Sequence, residues 1–119
     1  MTQDEFFKHI EQSYKDGISL IKIKNADYAN STNPFKNFES AYVVGIDVGQ
    51  AILVRILDKL SRVGNLLKTE ASVKEESVED TLLDLINYTA ILKAYLYDCK
   101  RKRNNQGDLP RHCHCHKKD

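Results

Sequence analysis

The sequence predicts an all-α fold, and three observations support this prediction. The chain has 119 residues, a length typical of one domain. It contains only 5 Gly and 2 Pro, too few for the many turns of a β-sandwich. Apolar residues recur at helical spacing in three long stretches, which polar segments separate. A hydrophobic content of 41% and a charged content of 29% are typical of a folded chain.

The first stretch begins with a capping box and continues as an amphipathic helix. Thr2 is followed three residues later by Glu5, a pair that can satisfy the free N–H groups of a first helical turn. We predict a helix over residues 3–24, with one apolar stripe at steps of four and three. The stripe consists of Phe6, Ile10, Tyr14, Ile18 and Ile21.

Residues 25–39 interrupt the helical pattern with four Asn, a Ser, a Thr and Pro34. Asn and Ser side chains bond nearby backbone groups and favour turns. We therefore predict a loop, long enough to have a function, followed by a short helical turn at residues 40–44.

Two further helices are predicted, each opened by a cap. Asp47 with Gln50 caps the second stretch, which runs to about Lys68, and Ser72 with Glu75 caps the last one. The short link predicts an antiparallel hairpin. The second stretch carries a stripe of Ile52, Leu53, Ile56, Leu57, Leu60, Val63, Leu66 and Leu67. In the last helix, the residues predicted to face inward are Val78, Leu82, Leu85, Ile86, Leu92 and Leu96.

The apolar stripe on residues 52–67 is broader than the face that one neighbouring helix covers, and a chain this short has few other helices. We therefore predict a homo-oligomer with an isologous helical interface, a dimer or a tetramer.

We assign residues 1–103 to the domain and residues 104–119 to a mobile tail. The net charge is +1, but residues 100–119 hold seven basic and two acidic residues, a net of +5, so residues 1–99 carry a net charge of −4. This distribution argues against a nucleic-acid partner. The alternating His112, Cys113, His114, Cys115 and His116 lack the spacing of a structural zinc site and indicate an adventitious metal-binding tail.

The sequence gives no indication of a membrane protein or a signal peptide. It has no apolar run of the roughly 18 residues that span a bilayer, and its first residues are polar and acidic. Three cysteines, all late in the chain, leave most of it without a disulfide framework. We expect a cytoplasmic protein.

Three carboxylates follow one face of the last helix. Glu76, Asp80 and Asp84 stand four residues apart, and like charges at this spacing repel each other. An Asp more than two turns into a helix is not explained by the helix dipole or by propensity. Such a row suits a hard cation such as Mg²⁺, with Mn²⁺ as a substitute. The alternative is a solvated acidic face.

A second cluster lies on the preceding helix. Arg55, Asp58 and Arg62 share a face, and Lys59 is adjacent. Asp58 could add a metal ligand, while Lys59 and Arg62 could hold phosphate oxygens. The alternative is a surface pair of Asp58 with Arg62 and ion pairs to the last helix, each contributing little.

The polar loop and the end of the first helix form a third candidate. Amide groups can hydrogen-bond base edges, and aromatic rings can stack on bases. The residues assigned to nucleotide binding are Lys24, Asp27, Tyr28, Asn30, Phe35, Asn37 and Phe38, together with Arg55. The alternative is that Phe35 and Phe38 only pin the loop to the core.

Three segments together resemble a known family: DYANSTNPFKNFE, LVRILDKLSRVGNLL and KEESVEDTLLDLINYTAILKAYL. They are similar to a nucleotide-modification-associated family of phages and bacteria, within the all-α, MazG-like nucleoside triphosphate pyrophosphohydrolases. The resemblance covers residues 20–97. It implies an oligomeric bundle that binds Mg²⁺ and cleaves a (d)NTP to the monophosphate and pyrophosphate.

By position, Asp84 matches the aspartate of that family's second helix motif, and Asp58 is the only carboxylate that matches the first. Arg55, Arg62 and Thr81 stand where the family more often has acids. We therefore expect Mg²⁺ at Asp58, Glu76, Asp80 and Asp84, with one carboxylate as general base and with Lys59 and Arg62 on the phosphates. The competing prediction is a catalytically silent nucleotide- or cyclic-nucleotide-binding protein.

Overall fold

The computed structural model describes residues 1–26, 33–68 and 75–106, and within these ranges every regular element is helical. The fold class is therefore all-α, as predicted. The elements are α1 (Gln3–Ala26), α2 (Lys36–Glu39), a 3-10 helix (Ser40–Val44), α3 (Val48–Lys68) and α4 (Glu75–Gln106). The tail beyond residue 106 and the predicted cap Ser72 lie outside the described residues.

The chain divides into two compact units, to each of which α3 and α4 contribute. One unit comprises Met1–Asn30 and Lys59–Asn87, and the other comprises Ser31–Asp58 and Tyr88–Asp119.

Helix α1 begins where the capping box predicts. The backbone N–H of Glu5 donates to the Thr2 hydroxyl oxygen at 3.1 Å, and the N–H of Phe6 donates to the Thr2 carbonyl at 3.0 Å. Most of the predicted apolar stripe is uncovered, because Phe6, Ile10, Tyr14 and Ile18 are exposed. Of that stripe, only Ile21 is partly covered.

Helix α1 approaches α4 through a glycine instead of through its large side chains. Gly17 is buried, and a Cβ placed there would lie 2.8 Å from Asn87 Oδ1 and 3.7 Å from Leu83 Cδ1. A carbon and an oxygen do not approach to 2.8 Å, so a side chain at this position would displace the Asn87 amide. Thr81 and Val63 are also buried in this unit.

The predicted loop contains a turn and a short helix, which corrects the expectation for residues 25–39. The Asn33 side chain accepts a hydrogen bond from the N–H of Phe35 at 3.0 Å and donates to Glu39 Oε2 at 2.7 Å. The N–H of Lys36 also donates to the Asn33 carbonyl, at 3.2 Å. These bonds form an Asx turn that leads into α2, whereas the sequence signal indicated only a turn.

The predicted helical turn at residues 40–44 is confirmed as the 3-10 helix, and a left-handed glycine ends it. Gly45 has φ +76°, and its N–H donates to the Tyr42 carbonyl at 3.0 Å. The next helix then begins with the predicted cap. The N–H of Gln50 donates to Asp47 Oδ1 at 2.7 Å, and the N–H of Asp47 donates to Gln50 Oε1 at 3.3 Å. This reciprocal pair is a capping box.

A cluster of aromatic and aliphatic side chains, together with a cysteine, forms the core of the second unit. Its buried members are Phe38, Val48, Ile52, Tyr95 and Cys99. The Phe35 ring meets Tyr95 edge to face at 5.3 Å, and the Phe38 ring meets Tyr88 in the same way at 6.4 Å. Cys99 is disulfide-bonded. These rings fix α2 to its unit, since edge-to-face pairs are favourable beyond their buried area.

Helices α3 and α4 leave much of their apolar surface uncovered. Leu53, Leu57, Leu60 and Leu67 are exposed on α3, and Leu82, predicted to face inward, is exposed on α4. No single helix in the described ranges is long and apolar enough to cross a membrane. Segments 36–44 and 48–68 satisfy that criterion only together, across a bend of 99°.

Candidate functional site

Two lysines of different helices approach one carboxylate in the first unit. Lys59 Nζ of α3 lies 3.0 Å from Asp84 Oδ2, and Lys24 Nζ of α1 lies 3.6 Å from Asp84 Oδ1. Each lysine thus approaches a different oxygen of the same carboxylate. We name Lys24, Lys59 and Asp84 the lysine–aspartate cluster.

The three side chains of this cluster differ in exposure. The Asp84 side chain is 19% exposed and that of Lys59 is 28% exposed, whereas that of Lys24 is 57% exposed. The contact of Lys59 with Asp84 is the shorter of the two and the better shielded from water. Lys24 remains accessible, and its longer contact is easier to break. The cluster therefore has one short, shielded contact, from Lys59, and one longer, exposed contact, from Lys24.

The charge of the cluster favours an anion. Among the described side chains, two ammonium groups contact the one carboxylate of Asp84, so these three groups together carry one positive charge. Each ammonium group has three N–H donors, and one contact to Asp84 leaves others for a ligand. Partial burial strengthens such contacts relative to those on an open surface. A phosphate group, with its charged oxygens, is the type of ligand that this arrangement suits.

Two polar residues of α4 flank Asp84 on its own face of the helix. Asp80, one turn earlier, is exposed, and Asn87, about one turn later, is 7% exposed. Asn87 is also the residue against which Gly17 packs. Hence Asp84 stands between an accessible acid and a buried amide, next to the crossing of α1 and α4.

The predicted magnesium site is not assembled by the described residues. In the described ranges, no group of three His, Cys, Asp or Glu side chains is arranged to hold a metal ion. Asp58 and Asp80 are exposed, and Asp84 is paired with the two lysines. The Glu76 side chain lies outside the described residues. The described acids thus do not by themselves fit Mg²⁺, and the four-residue site stays a prediction.

The basic residues predicted on α3 have separate environments. Lys59 is part of the lysine–aspartate cluster, in which it contacts the acid that the sequence assigns to the metal. Arg55 and Arg62 are both exposed on the described surface of the helix. The interaction of α3 with an acid of α4, which the sequence offered as the alternative to phosphate binding, is thus observed at Lys59.

The aromatic residues assigned to base binding lie in the core of the second unit. Phe38 is 7% exposed and Phe35 packs on Tyr95, so the structure favours the alternative in which these rings pin the segment. Asn37 is exposed, as is Lys24. The other members, Asp27, Tyr28 and Asn30, lie outside the described residues.

The sequence indicated Asp84, Lys59 and Lys24 separately, but it did not indicate that they meet. From the sequence, Asp84 is a predicted metal ligand, Lys59 a predicted phosphate contact and Lys24 a member of the predicted nucleotide-binding segment, because sequence spacing relates only residues of the same helix. The available signal was an Asp more than two turns into a helix without a nearby Lys or Arg on that helix. Such a residue needs a positive charge from elsewhere, and α1 and α3 supply it.

Two groups outside the lysine–aspartate cluster, Asp98 and Tyr42, have shifted pKa values. Burial raises the pKa of Asp98, but hydrogen bonds from Lys102 and Arg101 outweigh burial and leave that pKa below its usual value. Burial, followed by the charges of Glu39 and Asp47, raises the pKa of Tyr42.

The chain matches no protein-family model, no curated protein and no solved structure.

Proposed function

We propose that this chain is a nucleotide-binding protein whose lysine–aspartate cluster holds the phosphates. The observation that carries the proposal is the approach of Lys24 and Lys59 to the two oxygens of Asp84, at 3.6 and 3.0 Å. This geometry supports the competing prediction, binding without turnover, more directly than it supports hydrolysis. It uses only described residues and needs no metal ligand.

In this proposal the three residues have different tasks. Asp84 holds Lys59 by the short contact and so positions its ammonium group before a ligand arrives. Lys24 turns from Asp84 to the phosphate, at low cost, because its contact is long and exposed. A phosphate then accepts hydrogen bonds from both ammonium groups, and such charge-assisted bonds are stronger than neutral ones.

Hydrolysis is the second candidate, because Asp80 and Asp84 stand one turn apart and Asp80 is accessible. The resemblance implies a Mg²⁺-dependent cleavage of a (d)NTP to the monophosphate and pyrophosphate, in phage or bacterial nucleotide metabolism. When bound, Mg²⁺ would neutralise triphosphate charge. Asp58, Glu76, Asp80 and Asp84 remain its proposed ligands, and an acid that binds no metal would take a proton from the attacking water.

One experiment tests both candidates. The full chain is incubated with a panel of NTPs and dNTPs, with Mg²⁺ or with EDTA, and the products are separated by chromatography. Thermal shift and calorimetry of the same samples measure binding. Binding without product supports the first candidate, and monophosphate plus pyrophosphate only with Mg²⁺ supports the second. If no nucleotide shifts the melting temperature or is consumed, both are wrong.

Matched variants locate the binding. Lys59→Gln and Lys24→Gln should each weaken nucleotide binding at least tenfold, while Lys93→Gln and Lys22→Gln should leave it within about twofold. Lys93 of α4 and Lys22 of α1 are exposed lysines that do not belong to the lysine–aspartate cluster. Equal losses in all four variants would indicate nonspecific attraction of an anion and not a site at Asp84.

A further inference from the structure

The C-terminal half of α4 is strongly basic. Residues 85–106 contain five bases and one acid, whereas residues 75–84 contain five acids and no base. The five bases are Lys93, Lys100, Arg101, Lys102 and Arg103. A favourable interaction with the negative end of the helix dipole explains bases in the last turn. It does not explain Lys93, which stands more than three turns before the end of α4.

Several of these bases share one face of the helix with an exposed tyrosine. The face spans an arc of about 100°, and all its members are exposed: Lys93, Tyr97, Lys100, Arg101 and Asn104. Tyr97 is 67% exposed, whereas Tyr95 is 7% exposed in the core of the second unit. We name the five exposed residues the α4 basic face. They all belong to the second unit, whereas the lysine–aspartate cluster belongs to the first.

The one acid in this half of α4 is paired with bases. Asp98 lies on an adjacent side of the helix. Its Oδ1 is 2.9 Å from Arg101 Nη2, and its Oδ2 is 3.1 Å from Lys102 Nζ. A guanidinium group has five N–H donors, so Arg101 keeps donors for a ligand. The α4 basic face contains no acid of its own, and it therefore attracts anions.

We propose that the α4 basic face binds single-stranded nucleic acid, with one base stacked on Tyr97 and with backbone phosphates at Lys93 and Lys100. The positive charge favours a polyanion, and the exposed ring favours a polyanion that carries flat aromatic groups. Lys93 and Lys100 lie before and after Tyr97, about 10 Å apart along the helix axis. This distance leaves room for a base between two phosphate contacts.

A single strand fits this face better than a duplex or a lipid surface does. The bases of a duplex are stacked on one another, so the Tyr97 ring could not stack on a base there. A lipid surface takes up helices with a broad apolar face, and Tyr97 is the one large apolar residue of the α4 basic face. The combination of several cations with one exposed ring is typical of proteins that bind single strands.

The position of these bases on a helix changes the interpretation of the charge distribution. The sequence argues against a nucleic-acid partner, because residues 100–119 hold most of the excess of bases. Helix α4 runs to Gln106, so Lys100 and Arg101 stand on a regular helix together with Lys93 and Tyr97. Basic residues on one folded face are a feature of nucleic-acid-binding domains. The proposal is independent of the proposed nucleotide site, because it uses no residue of the lysine–aspartate cluster.

Fluorescence anisotropy of a labelled oligothymidylate tests the proposal with the full chain. The probe has about 12 nucleotides, a length within the usual site sizes, and no terminal phosphate. Tyr97→Ala should weaken binding at least fivefold, while Tyr97→Phe, which keeps the ring, should stay within about twofold of the wild type. The control is Tyr14→Ala, which removes a tyrosine of α1 that is 65% exposed. Its affinity should also stay within about twofold.

Two double variants test the charges. Lys93→Gln with Lys100→Gln should weaken binding at least tenfold at low salt. It should also lower the slope of log affinity against log salt concentration by roughly 1.4, since each phosphate contact to a single strand contributes about 0.7. The control is Lys15→Gln with Lys22→Gln, two exposed lysines of α1 that are also seven residues apart. It removes the same charge and should leave the slope unchanged and the affinity within about twofold.

Four results would overturn the proposal. They are no binding of the probe by the wild type at about 50 mM salt, equal losses in the two double variants, equally tight binding of a duplex of the same length, and wild-type affinity of Tyr97→Ala. Lys59→Gln should retain oligonucleotide binding, so a failure of the proposed nucleotide site leaves this test intact. Circular dichroism of each variant confirms that the helices are intact.

Discussion

Lys59 Nζ lies 3.0 Å from Asp84 Oδ2, and this ion pair joins α3 to α4 in the first unit. Neither residue has its partner within its own helix, although acids and bases four residues apart are the common stabilising pairs. The contact therefore depends on the tertiary packing. From the sequence, repulsion from its neighbours Asp80 and Glu76 is expected to destabilise Asp84. The contact with Lys59 supplies an attraction that opposes this repulsion.

The first prediction is that Asp84→Asn lowers the free energy of unfolding of the ligand-free protein, by about 1 kcal/mol. The variant loses a charge that two lysines approach and leaves the ammonium group of Lys59 partly buried without its partner. Asp80→Asn removes an exposed acid from the same face and should change stability by less than about 0.5 kcal/mol. Urea unfolding of both variants measures the difference. A more stable Asp84→Asn would mean that repulsion along α4 dominates.

The second prediction concerns the close approach of α1 to α4. Gly17→Ala places a Cβ 2.8 Å from Asn87 Oδ1, and the helices must separate or the amide must move. The cost of overpacking, about 1–3 kcal/mol, exceeds the gain in helix propensity, about 1 kcal/mol. Thermal unfolding should therefore show a lower melting temperature. The double variant Gly17→Ala with Asn87→Ala should recover part of it, and no recovery would locate the clash elsewhere.

The third prediction contrasts two glycines. Gly45 has φ +76°, so Gly45→Ala should destabilise the protein by about 1 kcal/mol. Gly64 lies within α3 in open space, so Gly64→Ala should stabilise it by up to about 1 kcal/mol. Chemical unfolding of both variants at the same protein concentration measures the two changes. Equal signs for the two substitutions would contradict the assigned backbone conformations.

The fourth prediction concerns acid stability. The pKa of Asp98 is lowered in the folded state, because hydrogen bonds from Lys102 and Arg101 outweigh its burial. The unfolded state therefore takes up a proton first as the pH falls below about 4. The stabilisation by Asp98 is present above the unfolded pKa and is lost as the pH falls through the folded one. Asp98→Asn should thus flatten the acid limb of a stability–pH profile and lower stability at pH 7, whereas an unchanged limb would exclude Asp98 as a contributor.

The fifth prediction separates core residues from ligand-binding residues. Phe38→Leu replaces a buried ring whose centroid lies 6.4 Å from that of the Tyr88 ring, so the free energy of unfolding should fall by about 1–2 kcal/mol. Nucleotide affinity should remain unchanged, because the ring lies in the core of the second unit. Calorimetric titration of a nucleotide that binds the wild type checks this. Loss of nucleotide affinity in a folded Phe38→Leu variant would indicate that the Phe38 ring contacts the base, as the sequence predicted.

Local sequence signals predicted the helices well. The caps at Thr2 and Asp47 depend only on residues three positions apart, and both hydrogen bonds are present. The short helix Lys36–Glu39 was missed, because the four asparagines of its region indicate turns and do not show that Phe38 anchors a helical turn in a core.

Burial and pairing were harder to predict than helices. The periodicity of α1 correctly indicates one apolar side. It does not indicate that α1 meets the neighbouring helix at Gly17, while Phe6 and Tyr14 stay exposed. Close helix approach depends on the absence of a side chain, which no measure of hydrophobicity detects. The lysine–aspartate cluster was likewise beyond sequence spacing, since its members come from three helices.

Gly17 also sets the distance between charges that lie two helical turns away from it. A slide of α1 by one turn along α4 would bring Ser13 or Ile21 to the place of Gly17 against Asn87, where a side chain would displace the amide. This clash opposes the slide, and it therefore helps to fix how closely Lys24 approaches Asp84. A residue that carries no functional group thus contributes to the spacing of two charged groups. We expect a substitution at Gly17 to change the distance between Lys24 and Asp84 without altering either side chain.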